Sequence, residues 1–130
     1  MNDSWYSRPV LFVSDIDTSV DFYVKQLGFT QTWRFEGDEG EALVAQVARR
    51  GLELILTAES SNKRGKGLIF VSLDEEVLNV LRTELEARGV DVRDGHWGYR
   101  VMVITDPDGN EFYFPYEGPL EAKGTLKRFR

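Results

Sequence analysis

The chain has 130 residues, 42% of them hydrophobic and 29% charged, which fits one soluble globular domain able to bury a core without staples. A net charge of −6 argues against nucleic acid, which needs a basic footprint. The lack of cysteine excludes disulfides, thiolate ligands and a thiol nucleophile. No apolar run approaches a membrane span, and Met1–Pro9 lacks the apolar centre of an export signal, so a cytoplasmic protein with no membrane partner is expected.

Taken in chain order, "VLFV" (10–13) reads as a buried strand. Asp17 then offers an oxygen to cap a helix, along which Ile16, Val20, Tyr23, Val24 and Leu27 form one apolar stripe and Gly28 supplies the stop. "FTQTWRF", "ALVAQVA" and "LELILTA" follow as three strands, the last two separated by an Arg50-Gly51 turn. After the polar connector "SSNKRGKG" (60–67) the order restarts. "LIFVS" echoes "LFVS", and Asp74 can cap a helix carrying Val77, Leu78, Leu81 and Leu85, closed by Gly89. "VDVRD", "RVMVITD" and "EFYFPY" supply three more strands.

The repeated order implies two copies of a βαβββ unit. The predicted class is α+β: one domain, with module one at about 8–59, module two at about 67–117 and a tail over 118–130. Two such modules can join into an incomplete barrel with helices outside and a concave crevice, the natural ligand site. Because the units are short, a second subunit is expected to complete that crevice.

The doubled unit, with "FYVKQLGF" after the first strand and "DPDGNEFYF" near the end, resembles the vicinal oxygen chelate superfamily of glyoxalases, ring-cleaving dioxygenases and antibiotic-resistance proteins. The resemblance spans about residues 8–116. In the DPDGN turn Pro107 fixes φ, Gly109 admits positive φ, and the Asp and Asn side chains bond their own backbone. In metal-dependent relatives a carboxylate ligand stands three residues beyond the Asn, and here that residue is Tyr113. A histidine usually opens the first strand, where this chain has Arg8, and none occurs near Lys66–Leu68 at the matching place in module two. Three converging ligands are therefore missing. Glu111 shares the face of Tyr113 but lies one pleat repeat, roughly 7 Å, away. Glu53 reads more simply as a strand residue or an arginine's partner. His96, in "DGHWG", reads as a loop residue. Neither a metal nor any other cofactor is expected.

Within the superfamily the chain is most similar to the bleomycin-resistance branch, through Pro9 at the first strand, "WGYR" (97–100) before the seventh, and Trp33 five residues after Gly28. That resemblance implies a strand-exchanged homodimer that sequesters a flat, aromatic, cationic small molecule of the bleomycin type without turnover. The candidate ligand-binding residues are Trp97, Gly98 and Tyr99, with Trp33 and Phe35, and Glu36 and Asp38 from the acidic run beside them. Indole faces stack on flat rings and attract cations, Gly98 leaves room for close approach, and the acidic run would steer a cation. Each also has a plainer role: Trp97 as a packed hinge, Trp33 and Phe35 as inner-sheet packing, the acidic run as a solvated loop. Arg8, Arg34 and Arg100 in the crevice would favour an anionic or neutral ligand instead. The rival reading is a divalent-metal-dependent lyase, isomerase or dioxygenase of the glyoxalase type, supported by the fold alone.

Overall fold

The computed structural model describes residues 3–116; the tail expected over 118–130 lies outside them. Eight strands form two four-stranded sheets. The first contains β1 (Val10–Phe12), β2 (Thr30–Glu36), β3 (Ala42–Arg49) and β4 (Leu52–Thr57) in the order β1-β4-β3-β2. The second contains β5 (Leu68–Phe70), β6 (Arg93–His96), β7 (Arg100–Thr105) and β8 (Glu111–Pro115) in the order β5-β8-β7-β6. The α+β class and the doubled unit are therefore as expected, and the sheets are open and do not close into a barrel. The repeat extends to single bonds. Val13 N–H donates to the Thr57 carbonyl and Val71 N–H to that of Tyr113, both at 2.9 Å. In each sheet the first strand pairs in parallel with the last. β1 thus pairs with β4 of its own chain.

Helix α1 (Ile16–Asp21) starts two residues earlier than Asp17 would place it. Asp15 is the cap: its backbone is extended, and its carboxylate accepts from the Thr18 N–H at 3.2 Å and the Thr18 hydroxyl at 2.5 Å. Asp17 sits inside the first turn and pairs with Arg34 at 2.6 Å. The stripe out to Leu27 is not one α-helix. Phe22–Gln26 form a π turn, closed by Leu27 N–H on the Phe22 carbonyl at 3.2 Å. This turn keeps Tyr23 fully buried, edge-on to Phe22, Phe29 and Phe112.

Helix α2 (Glu75–Ala87) begins after Asp74, whose side chain makes no capping bond. It ends in a Schellman motif: Val90 N–H reaches the Leu85 carbonyl at 3.0 Å and Gly89 N–H that of Glu86 at 3.1 Å. The expected strand "VDVRD" is displaced for that reason. Val90 is buried as part of the helix cap, and β6 runs over 93–96. His96 consequently lies in a strand, paired with Arg100, and not in a loop.

The core lies between the sheets and helices. Leu11, Ala45, Val47, Leu54 and Leu56 from the first sheet meet Ile69, Met102, Ile104, Phe112 and Phe114 from the second, with Tyr23 and the buried Leu78 and Leu85 of α2. Strand alternation then assigns each sheet's remaining residues to a face turned away from this core.

Arg49 on β3 reaches across to α2, giving both oxygens of Glu84 a hydrogen bond at 3.0 Å and the Leu27 carbonyl one at 2.6 Å. That hydrogen bonding lowers the Glu84 carboxyl below its ordinary value, against the opposing effect of burial. The folded state therefore resists protonation. The pair's contribution is present above about pH 4.5 and is lost as pH falls through the lowered value. In urea melts Glu84→Gln is expected to be less stable by about 1 kcal/mol at neutral pH, a modest value because solvent still screens the partly exposed pair. The gap should narrow progressively as pH falls below about 4.5; a gap that does not change with acid would assign the effect to packing.

Candidate functional site

The turn Asp106–Asn110 determines where the second sheet presents its side chains. The buried Asp106 carboxylate accepts from Asp108 N–H and Asn110 N–H, both at 2.9 Å, from Asn110 Nδ2 at 3.0 Å and from the Tyr23 hydroxyl at 2.9 Å. Asn110 in turn donates to the Phe12 carbonyl at 3.2 Å and accepts from Gly67 N–H at 2.8 Å, while Asp108 accepts from Ser14 N–H at 2.9 Å. Gly65, at φ +70°, packs on the Asp108 carbonyl so closely that a Cβ there would collide with it. The turn therefore joins the start of β8 to the end of β1 and the entry to β5.

From this base β8 alternates. Phe112 and Phe114 enter the core, and Glu111 and Tyr113 face outward. Register places Phe70 opposite Tyr113 and Leu68 opposite Glu111. The loop between β6 and β7 then brings Trp97 onto the same face. Trp97 N–H donates to the Tyr99 carbonyl at 2.8 Å across Gly98, whose φ is +73°. A Cβ at Gly98 would meet nothing within 4 Å, so what this position requires is left-handed backbone, not room.

The outcome is a four-ring cluster. Trp97 lies 5.4 Å from Phe70, 6.2 Å from Tyr99 and 5.7 Å from Tyr113 between ring centroids, in tilted and edge-on geometries, and Phe70 lies 6.3 Å from Tyr99. Trp97 and Phe70 keep 49% and 38% of their surface in solvent. The rings are held in place by one another with faces still accessible, and stacking needs that combination. Beyond the cluster, Arg93 reaches Glu111 at 3.5 Å and the Thr105 hydroxyl at 2.6 Å.

Trp33 and Phe35 stand on the outer face of the first sheet, both exposed, opposite Gln46 and Val44. Between them and β4 runs a polar network. Arg8 donates to Gln46 Oε1 at 2.7 Å, and Gln46 Nε2 donates to the Thr32 hydroxyl at 3.0 Å and to Glu53 at 3.5 Å. Tyr6 donates to Glu53, a bond that raises its phenol above the ordinary value. Its ring lies under the Arg8 guanidinium at 5.0 Å. Glu53 is thus engaged by a tyrosine and a glutamine, not by an arginine. Arg34 turns to the α1 side, toward Asp17 and Glu36, and Arg100 lies over Tyr116 at 5.0 Å. Asp38 is exposed in the turn after β2.

The structure therefore brings Trp97, Gly98 and Tyr99 together and leaves Trp33, Phe35, Glu36 and Asp38 on the other sheet. Among the described residues no ring contact joins the two groups. Phe70 and Tyr113 complete the cluster, yet nothing in the sequence singles out Phe70. Only the register of β5 on β8 places it beside Tyr113. The donor set does not fit a divalent metal: Arg8, Leu68 and Tyr113 supply no ligand, and among the described residues no three His, Cys, Asp or Glu side chains converge. No described helix is long and apolar enough to cross a membrane.

The family profile described as glyoxalase/bleomycin resistance protein/dioxygenase superfamily matches residues 5–114. The chain belongs to that superfamily. No curated protein sequence matches it. Among solved structures, the superfamily fold is shared with TnmS3, an antibiotic binding protein from Streptomyces sp. CB03234, at 26% identity and a TM-score of 0.68, covering 88% of this chain and 97% of that one. The bleomycin-binding protein of bleomycin-producing Streptomyces verticillus, complexed with copper(II)-bleomycin, is 24% identical with a TM-score of 0.66, covering 88% and 98%. A lactoylglutathione lyase from Agrobacterium tumefaciens is 20% identical with a TM-score of 0.65, covering 93% and 98%. This glyoxalase/bleomycin-resistance fold thus serves binding proteins and an enzyme alike, and the last two likenesses bear on fold alone.

Proposed function

We propose that this protein binds a flat aromatic small molecule, of the bleomycin type or another aromatic natural product, and sequesters it without turnover and without a metal. The observation that carries the reading is the Phe70–Trp97–Tyr99–Tyr113 cluster. At Tyr113, where metal-dependent relatives would have a carboxylate, this chain has a ring packed against an exposed indole. In this reading Trp97 and Tyr99 are the stacking residues, and Gly98 sets the loop that presents them.

A homodimer is part of the proposal. Val10, Trp33 and Phe35 on one outer face and Leu68, Phe70 and Trp97 on the other are all large and exposed. Apposing the first sheet of one subunit with the second sheet of its partner would cover both and bring Trp33, Phe35, Glu36 and Asp38 to the cluster. A single monomeric species in sedimentation would remove this part.

The test is titration with metal-free and copper-bound bleomycin, followed by tryptophan fluorescence. Saturable quenching at one ligand per crevice is the expected result, and no quenching at high ligand concentration would overturn the antibiotic assignment. The rival, a metal-dependent lyase, isomerase or dioxygenase, would be favoured by one tightly held divalent ion per purified chain.

A further inference from the structure

On the opposite side of the second sheet from the Trp97 cluster, beneath α2, lies a cavity of about 630 Å³. That volume is in the range of small-molecule pockets. Leu27, Phe29, Leu81, Leu85, Ile104 and Phe112 are among its apolar walls. Val77 and Val80 of α2, both more than half exposed, stand at its mouth. It shares no ring with the outer cluster, because Phe112 and Tyr113 point to opposite faces of β8.

The charged residues of the cavity are not scattered. Arg49, Arg50 and Glu84 line one end, and Glu76 lies eight residues, or about 12 Å, earlier along α2. Glu84 is already held by Arg49 at 3.0 Å and by Arg88 at 3.5 Å, and Arg50 adds to the positive field around it. Two lining guanidinium groups, Arg49 and Arg50, against one carboxylate make that end cationic in a chain that is acidic as a whole. Arg50 itself makes no hydrogen bond to a described residue.

The backbone supplies a second, independent observation. Arg50 and Gly51, at φ +51° and +89°, form the two-residue turn between β3 and β4. Both positions of such a turn favour glycine or asparagine, because a longer side chain with left-handed φ crowds its own backbone. The chain thus keeps a long cationic side chain at a strained position beside an apolar cavity.

We propose that this cavity is a second binding site, for an amphipathic monocarboxylate whose hydrocarbon chain lies along α2 and whose head group meets Arg50. Glu76 at the far end sets the orientation by repelling the carboxylate. The site is separate from the proposed aromatic one and does not depend on it.

Calorimetric titration with decanoate and with decan-1-ol, which differ only in the head group, tests this directly. The wild type is expected to bind decanoate about tenfold more tightly, as a charge-assisted hydrogen bond implies. Arg50→Gly, which relieves the backbone strain, should fold normally, lose that preference and keep decan-1-ol binding. Methyl NMR resonances of Val80, Leu81, Leu85 and Ile104 should shift with decanoate, and the Trp97 indole should not. The proposal is overturned by equal affinities for the two probes, by unchanged decanoate binding in Arg50→Gly, by shifts centred on Trp97, or by no binding at millimolar probe.

Discussion

Asp106→Ala is expected to lower the unfolding free energy by about 3–5 kcal/mol, enough to unfold much of the population of a marginally stable domain. Four donors converge on that carboxylate, from Tyr23, Asp108 and Asn110. Asp106 is 4% exposed, and Tyr23 and Asn110 are fully buried, so water cannot replace the lost acceptor. Each buried donor left without a partner costs about 1–3 kcal/mol. Denaturant melts measure the loss, and a change below about 1 kcal/mol would show that the network is dispensable.

The same network has an alkaline signature. Burial, then the nearby Asp106 charge and hydrogen bond, raise the Tyr23 phenol well above its ordinary value of 10.0. The folded state therefore holds the phenolic proton more tightly than the unfolded chain. That contribution is complete below about pH 10 and is lost as pH climbs toward the folded value. Tyr116, pushed up to about 12 by burial and its bond to Asp94, acts in the same direction. Tyr23→Phe should cost about 1 kcal/mol near neutrality and flatten the fall in stability above pH 10. An unchanged slope would assign the alkaline loss to other groups.

Trp97→Ala is expected to weaken binding of a bleomycin-type ligand by about 2–3 kcal/mol, or about thirty- to 150-fold. The indole offers the largest accessible ring surface in the cluster, and its neighbours hold it in one orientation. Its removal also leaves Phe70 and Tyr113 without their common partner. Stability should fall by only about 1 kcal/mol, because half of the indole is already in water. Trp33→Ala is the comparison: the proposed homodimer brings Trp33 to the same crevice, so a smaller loss of affinity is expected there too. A full loss of affinity there, with none in Trp97→Ala, would move the site to the first sheet.

The order of elements was legible because strand and helix periods repeat in the same sequence twice, with Gly28 and Gly89 as stops. Boundaries were less so. Asp15 and Asp17 both suit a cap by residue type, and only the extended backbone at Asp15 decides between them. Val90 alternates with Val92 as a strand would, yet Gly89 commits it to the helix end. At the site, Trp97 and Tyr99 were singled out by the resemblance of "WGYR" to the bleomycin-resistance branch, which a short contiguous motif can carry. Phe70 was not, since its partnership with Tyr113 depends on parallel register across 43 residues. The partners of Glu53, read as a strand residue or an arginine's partner, were also not legible, because Tyr6 and Gln46 reach it from different segments.

The turn at Asp106–Asn110 also bears on how the protein loses its structure. It lies in the second repeat, but Phe12, Ser14 and Tyr23, which it binds, all lie in the first. Neither repeat carries a complete set of partners, so the two should not melt as separate units. Calorimetric and van't Hoff enthalpies should agree for one transition. For the same reason, a fragment ending in the 60–67 connector would lack the groups that satisfy its own buried tyrosine, and would need the other half in trans.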